Sequence, residues 1–554
     1  MDAVTKTNIE RNPPLGSTSR RGLRDRARTL WRSELWTCAA IPILLVGFAV
    51  RAASLFPSHK YLPDADTLIM GLRALEVMEG EPVVFYSHLR LGALEAYLHA
   101  AAFSLLGASR EALVWAPLFS GCLFLLFGFA FLREVFGGKV AVLGALFLAV
   151  PSPAFLYWTY MPNSYPETMA LCAAVLFLAA RAVRRGGRTA LFLVGLVAGL
   201  GFWNSFQTLT CSLPALAWLV RKRPEGARRL DFWIPIFGGA VLGALPWILY
   251  NLIHPLDALQ GFLAPRLNLD PRALLSNLTY LATTNIPELV MGTDPAGVHG
   301  APTVFQRLLR PLGIAIYAAA AWSLMRHASS RAAPASGAQT PAARPAARLL
   351  VIIGLAIGSA FVLSNFGGER GQTVRYVLPL WPVIAGALAL MTRDLLRVTR
   401  TGAAIAVAVL LAFNLSAYAW PGSEARRDWE EDMRGDAELV ALLQQGGIEW
   451  VFGDYWTVYP INFLSERRIR GVPRQPSWDY LGYREQLPKG SVQPWALVAR
   501  TAEEMDDWIQ RTGLTGRRLS IDGGFVLFLP SAPPQGVVGS RQIATHLQKM
   551  LGPG

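Results

Sequence analysis

Between Trp36 and Trp420 the chain repeatedly produces nearly charge-free apolar runs of about 17 to 22 residues, each long enough to cross a bilayer as a helix. Eleven such runs lie near 36–56, 110–132, 138–154, 167–183, 189–204, 206–220, 232–253, 307–326, 348–366, 374–392 and 401–420. Composition agrees, with 53% hydrophobic residues and only 16% charged, against about 25% charged in ordinary soluble domains. The expected class is a polytopic α-helical membrane protein.

The net charge of +14 raises the question of a nucleic-acid partner, but its placement answers it. Basic residues gather in alternate loops: Arg11 to Arg32; Arg133 with Lys139; Arg181 to Arg188; Arg221 to Arg229; Arg326 to Arg348; and Arg393 to Arg400. That alternation is the positive-inside pattern of a chain whose N-terminus is cytoplasmic, and it excludes nucleic acid as the reason for the charge. The basic N-terminus carries no small-residue cleavage site, so the first span reads as an anchor. Cys38, Cys122, Cys172 and Cys211 all sit in apolar spans and form no metal or disulfide spacing.

The organisation that follows is a basic N-terminus (1–35), a membrane region (36–420), an outer domain (421–530) and a loose tail (531–554). An odd number of crossings places everything after Trp420 outside. The first outer loop (57–110), the turn 155–166, the loop 254–306 and the C-terminal region then share that side. In 421–530, Ala437–Gln445 and Glu503–Arg511 are helix-like, whereas Glu449–Phe452, Ala496–Ala499 and Phe525–Leu529 are strand-like. That alternation predicts a small α/β domain. No internal repeat is visible, although many carriers are built from repeats.

The first outer loop holds the densest chemistry. Asp64 and Asp66 follow Pro63, and an amphipathic run (Leu68, Ile69, Leu72, Leu75, Val77 against Arg73, Glu76, Glu79) ends at Gly80-Glu81-Pro82. These acids suit a helix start, where the dipole favours them. They equally suit a general base acting on an acceptor hydroxyl. Breaking a glycosidic bond requires a second carboxyl group to protonate the leaving alkoxide. A sugar leaving from a lipid phosphate requires no such acid, so one base with cations around the phosphate suffices. The Asp-x-Asp spacing also offers oxygen ligands to a divalent metal such as Mg²⁺ or Mn²⁺.

Several stretches together resemble bacterial C-type (GT-C) membrane glycosyltransferases, relatives of the protein O-mannosyltransferases and the lipid A aminoarabinose transferase. They are Asp66-Thr-Leu-Ile-Met-Gly-Leu-Arg-Ala-Leu-Glu-Val-Met-Glu-Gly, Phe85-Tyr86, Gly92-Ala-Leu-Glu-Ala-Tyr, Ser164-Tyr-Pro-Glu-Thr and Gly201-Phe-Trp-Asn-Ser. Gly243-Ala-Leu-Pro-Trp-Ile-Leu-Tyr-Asn, Arg375-Tyr-Val-Leu-Pro-Leu and Gly453-Asp-Tyr-Trp-Thr-Val-Tyr continue the similarity along most of the chain. The resemblance implies a polyprenyl-phosphate sugar donor, an extracytoplasmic acceptor (lipid, glycan or protein), inversion at the anomeric carbon and residence in a bacterial inner membrane. It places the family's first-loop aspartate on Asp66. A second acid commonly follows that position, whereas Thr67 stands here, so Asp64 and Asp66 both stay open as the base.

Further candidates follow from topological side. Glu167 starts the fourth span after Pro166, where it is either a dipole-stabilised carboxylate or a second acid of the site. Lys60, His88, Arg90, Arg370 and Arg375 are the outer cations available to a phosphate, with Arg90 and Arg375 favoured because guanidinium forks phosphate oxygens. Their other reading is snorkelling to the headgroups. Tyr86, Asn204 and Gln207 are candidate sugar contacts, and Asp454, Tyr455 and Trp456 candidate acceptor contacts from the outer domain. Two rival readings are a lipid or solute transporter and a non-catalytic envelope assembly protein. The first calls for ionisable residues near the bilayer midplane, where these spans have almost none.

Overall fold

The computed structural model describes residues 20–55, 65–86, 91–159, 164–255, 257–259, 269–292, 303–330, 343–365, 373–418, 423–489, 494–521, 524–533 and 540–551. The membrane region contains α1 (Arg20–Leu55), α2 (Ala65–Met78), α3 (Leu94–Leu106), α4 (Trp115–Phe136), α5 (Gly138–Ala149) and α6 (Pro153–Trp158). It continues with α7 (Tyr165–Arg185), α8 (Arg188–Asn204), α9 (Leu209–Lys222), α10 (Leu230–Gly243) and α11 (Leu245–Ile253). The last spans are α12 (Val304–Ser329), α13 (Ala343–Leu363), α14 (Trp381–Val398, entered through a 3₁₀ turn at Thr373–Leu380) and α15 (Arg400–Ala417).

Each of the eleven expected spans has a helix at its place. Among the described residues, seven helical segments are long and apolar enough to cross a membrane. The pair α10 and α11, a broken span or a re-entrant loop, is bent by 65° at a break where Pro246 supplies no N–H to continue the ladder. The remaining three, α5, α8 and α9, have 12, 17 and 14 residues, about 18 to 26 Å of helix and short of a full crossing. The C-terminal end of α5 is closed by Arg51 of α1. Its guanidinium, almost wholly buried, donates to the carbonyls of Leu148 (3.0 Å), Ala149 (3.2 Å) and Gly47 (3.0 Å). A cation there satisfies carbonyls that a helix C-terminus leaves orphaned and opposes the negative end of its dipole.

The closest helix pair, α8 with α10, rests on facing Gly-xxx-Gly repeats. A Cβ on Gly195 or Gly199 would lie 2.0 or 2.2 Å from the carbonyl oxygen of Ile236 or Ala240. One on Gly239 or Gly243 would lie 2.1 or 2.2 Å from that of Phe192 or Leu196. Lipid tails are as apolar as leucine, so helices in a bilayer gain by backbone approach, and only glycine permits this distance.

The C-terminal region, named the outer domain after its expected side, comprises α16 (Ser423–Gln445), β1 (Trp450–Gly453), α17 (Tyr455–Leu464), β2 (Arg470–Pro473), β3 (Trp495–Ala499), α18 (Ala502–Thr512), β4 (Gly516–Ser520), β5 (Val526–Pro530) and α19 (Ser540–Leu551). Its sheet has the order β2-β1-β3-β5-β4, parallel across β2, β1 and β3 and antiparallel from β3 through β5 to β4. The small α/β domain read from the sequence is therefore present. The tail beyond Ser531 is not all loose: α19 buries Ile543, Ala544 and Leu547, one helical stripe, in the core of the outer domain.

One core joins the two regions. Leu68, Ile69 and Leu72 of α2 and Phe103 of α3 are buried in the same cluster as Tyr455, Val458 and Phe463 of α17. The amphipathic run read from the sequence is therefore not a helix with one open polar face. It is covered on most of its circumference, and even Glu76 is buried, paired to Arg73 at 2.7 Å.

Gly239→Val tests the glycine contact. Its side chain must enter the Phe192 carbonyl, so the detergent-purified variant is expected to melt several degrees below the parent protein or to lose monodispersity. Unchanged melting would show that α8 and α10 do not depend on this approach.

Candidate active site

Asp66 stands in the first turn of α2, partly exposed, and its Oδ1 accepts a hydrogen bond from the Tyr455 hydroxyl of α17. Arg375, on the 3₁₀ turn before α14, and Tyr165, at the start of α7, lie within electrostatic reach of the same carboxylate, as does Tyr480 of the outer domain. The Arg375 guanidinium lies over the rings of Trp158 (5.5 Å) and Tyr376 (5.3 Å). Its Nε–H is buried without a hydrogen-bond partner in the structure. A half-buried guanidinium with one buried, unused donor suits an anionic ligand. Burial and the Asp66 charge push the Tyr455 phenol far above its ordinary value, so it remains a proton donor.

The loop before α3 is pinned beside this group. Phe85 bridges Gly92, Leu91 bridges Ser205, and the Trp203 indole donates to the Val84 carbonyl at 2.9 Å. Gly92 is required here, because a Cβ would lie 2.3 Å from the Trp203 carbonyl oxygen.

Beneath the loop runs a buried polar network. Ser120 donates to Glu167 Oε1 (2.7 Å), and Glu95 Oε2 accepts from the Ser164 N–H (2.9 Å). The Asn204 amide donates to the Ser164 carbonyl and to Thr168 Oγ1, both at 3.1 Å. His99 lies 3.5 Å from Glu95; burial lowers its imidazole to about 4 and keeps it neutral. Ser164 itself is held in the left-handed region at φ 64°. Glu167 and Asn204 are 2% and 0% exposed, so both sit inside this network and not on an open face. Glu95, His99 and Ser120 were not singled out from the sequence; the buried charge on α3 was visible only as Glu95 interrupting an apolar stretch.

The outer domain approaches through its topological switch point. The chain leaves β1 towards β2 on one side and leaves β3 towards β5 and β4 on the other, and the carboxyl ends of such strands flank a crevice. Asp454 follows β1 and caps α17, its Oδ1 accepting from the Thr457 N–H at 2.9 Å. Arg500 follows β3 and donates to the Trp456 carbonyl at 3.1 Å. Tyr455 is surrounded by the rings of Trp456, Tyr459 and Trp478, with centroids 5.0 to 5.2 Å away, and Tyr480 at 6.2 Å. Trp456 and Trp478 remain 45% and 37% exposed. Arg73 of α2 ties the parts together, donating to the carbonyls of Tyr86 (3.0 Å) and Tyr480 (2.6 Å).

Of the residues expected from sequence, the structure gathers Asp66, Arg375 and Tyr455, with Trp456 beside them. Tyr86 is buried in the shared core, Asp454 is committed to its cap, and Gln207 is half-buried with an unpartnered Oε1. Lys60, Asp64, His88, Arg90 and Arg370 lie outside the described residues. Among the described residues no three His, Cys, Asp or Glu side chains converge as a metal site, and Asp64, the other half of the Asp-x-Asp spacing read as offering ligands to Mg²⁺ or Mn²⁺, lies outside them.

Arg73→Ala should loosen the join between α2 and the outer domain. Losing several partly buried hydrogen bonds is expected to remove roughly 2 to 3 kcal/mol, seen as a lower melting temperature that Arg73→Lys restores only in part. Equal melting of all three proteins would remove Arg73 from the join.

Residues 93–254 match the family described as dolichyl-phosphate-mannose-protein mannosyltransferase. No curated protein sequence matches the chain. Among solved structures, ArnT from Cupriavidus metallidurans bound to undecaprenyl phosphate is similar with a TM-score of 0.59 at 14% identity, over 92% of this chain and 99% of that one. The same protein in its apo state gives 0.57 at 15% identity, over 91% and 98%. The chain therefore has an ArnT-like membrane fold that includes a small C-terminal sheet domain, and its residues 93–254 carry the sequence pattern described as dolichyl-phosphate-mannose-protein mannosyltransferase.

Proposed function

We propose that the protein is a membrane glycosyltransferase that moves a sugar from a polyprenyl-phosphate donor to an extracytoplasmic acceptor, with Asp66 as general base. An acceptor hydroxyl attacks the anomeric carbon from the face opposite the phosphate, its proton passes to Asp66, and the C–O bond to phosphate breaks. The polyprenyl phosphate leaves with the electron pair, its charge held by Arg375, and the anomeric configuration inverts. No acid is needed on the leaving group, because a phosphate departs as an anion.

The observation that carries this reading is the juxtaposition of a partly exposed carboxylate with an arginine whose buried Nε–H has no partner. It occurs in a fold similar to that of a protein crystallised with undecaprenyl phosphate. On the membrane helices α7, α8 and α14 the ends near the site lie opposite basic residues (Arg181 to Arg185 on α7, Arg188 on α8, Arg393 and Arg397 on α14), which supports an extracytoplasmic location. Lys60, His88, Arg90 and Arg370 are further donor-side cations in this proposal, and Asp64 a supporting acid. Glu167 and Asn204 support the site from inside the network, while Gln207 and Trp456 face the sugars.

Asp66→Asn is expected to lower transfer by about 10²- to 10⁴-fold while undecaprenyl phosphate still binds, measured by product formation and by native mass spectrometry of the purified protein. Normal turnover in that variant would end the proposal. Arg375→Ala should weaken undecaprenyl phosphate binding by roughly ten- to a hundredfold, and unchanged affinity would remove Arg375 from the donor site.

A further inference from the structure

We propose that the opposite end of the helix bundle carries a second site, one that takes the phosphate of a singly charged anionic glycerophospholipid of the phosphatidylglycerol type. The site is an open cavity of about 340 Å³ between the end of α7, the start of α8 and the junction of α9 with α10. Its lining includes the cations Lys222 and Arg223, the acid Glu225, Gly186, and the apolar side chains of Leu191 and Phe232. Tyr165 and Asn204 mark the other ends of α7 and α8, so this cavity stands apart from the transfer chemistry and does not rest on it.

The local sequence explains why a cation is held here. Pro224 cannot continue α9, so that helix ends at Lys222, and Arg223 leaves helical geometry with φ −128°. From there its half-buried guanidinium reaches the last turn of α7. Its Nε and Nη2 both donate to the Val183 carbonyl, at 3.2 and 3.0 Å. Those bonds fix the fork and leave Nη1 without a partner among the described residues. Gly186 keeps the space beside the fork clear, since a Cβ there would lie 2.9 Å from Nη1 and 3.1 Å from Nη2. Arg221, Arg228 and Arg229 differ. Each is exposed, and Arg229 is paired with Asp231 at 3.0 Å. The basic-loop pattern of membrane proteins accounts for those three, but not for a guanidinium anchored against a cavity.

Charge and surroundings select the occupant. A guanidinium forks phosphate oxygens, and an ammonium adds a flexible point charge. Lys222 and Arg223 against Glu225 give the lining one net positive charge, the complement of a phosphodiester monoanion. Leu191 and Phe232 are buried walls, and from the same end α10 carries an exposed apolar stripe, Leu230, Ile234 and Phe237. A free phosphate gains nothing from such a stripe, whereas acyl chains do. A basic pocket between membrane helices with an apolar flank thus fits a lipid head group.

Native mass spectrometry of the full-length protein, delipidated in detergent, tests this with phosphatidylglycerol and phosphatidylethanolamine of identical chains added separately. One phosphatidylglycerol per protein should be retained in preference. Lys222→Ala removes an exposed side chain and should lower that retention roughly fivefold, while Arg223→Ala should lower it about tenfold. Arg228→Ala, exposed and outside the lining, is the control and should leave it nearly unchanged. Equal retention of the two lipids, parental retention in Lys222→Ala, or an equal loss in Arg228→Ala would overturn the proposal. Melting temperature separates the sources of phosphate. Phosphatidylglycerol should raise it in the parent protein more than in Lys222→Ala, and inorganic phosphate should not raise it. An equal rise with inorganic phosphate would mean a free-anion site and overturn the lipid reading. Arg223→Ala also gives up the Val183 bonds, so if that variant melts early, Lys222→Ala decides alone.

Discussion

Burial of α2 is the constraint from which the site follows. Asp66 is carried by a short helix that no bilayer would hold in one orientation, yet Leu68, Ile69 and Leu72 are fully buried against neighbours on both sides. Each such side chain contributes about 1.5 to 3 kcal/mol when removed from water, and the share of that burial supplied by Tyr455, Val458 and Phe463 exists only while the outer domain is docked. The sheet domain is thus part of the framework that fixes Asp66. The bond from Tyr455 is a consequence of that packing and would not survive without it.

The second framework is polar. Glu95, His99, Glu167, Ser120, Ser164, Thr168 and Asn204 form a buried cluster linking the first outer loop to α4, α7 and α8. In a low-dielectric interior such groups are costly unless they bond each other, and when they do they specify one arrangement. That explains why Asn204 and Glu167, which look from the sequence like ligands, lie inside the protein. Their position at span ends was readable; the direction of their side chains was not.

The legibility of the chain divides along the same line. Apolar runs of membrane length and alternating basic loops carry the membrane architecture in plain view, because hydropathy and charge act residue by residue. Strand-like and helix-like segments after Trp420 announced an α/β domain for the same reason. The resemblance around Asp66 singled out that carboxylate as well. What could not be read was anything decided by pairing across distance: the facing glycines of α8 and α10, Arg51 closing α5, the role of Trp478 and Tyr480, and α19 folding back on the domain. A Gly-xxx-Gly pair is informative only once its partner helix is known, and the partners here are more than 40 positions apart.

The separation of Asp66 from Tyr455 sets an order of events during synthesis. A ribosome delivers the aspartate long before the tyrosine, with the entire membrane region made in between. Contacts between such distant segments form late, after the loop between them has been closed. The helices can therefore insert and pack while the carboxylate is still incomplete. The bond forms only when the final α/β unit has folded and docked, so a half-made molecule in the membrane carries Asp66 without its Tyr455 partner.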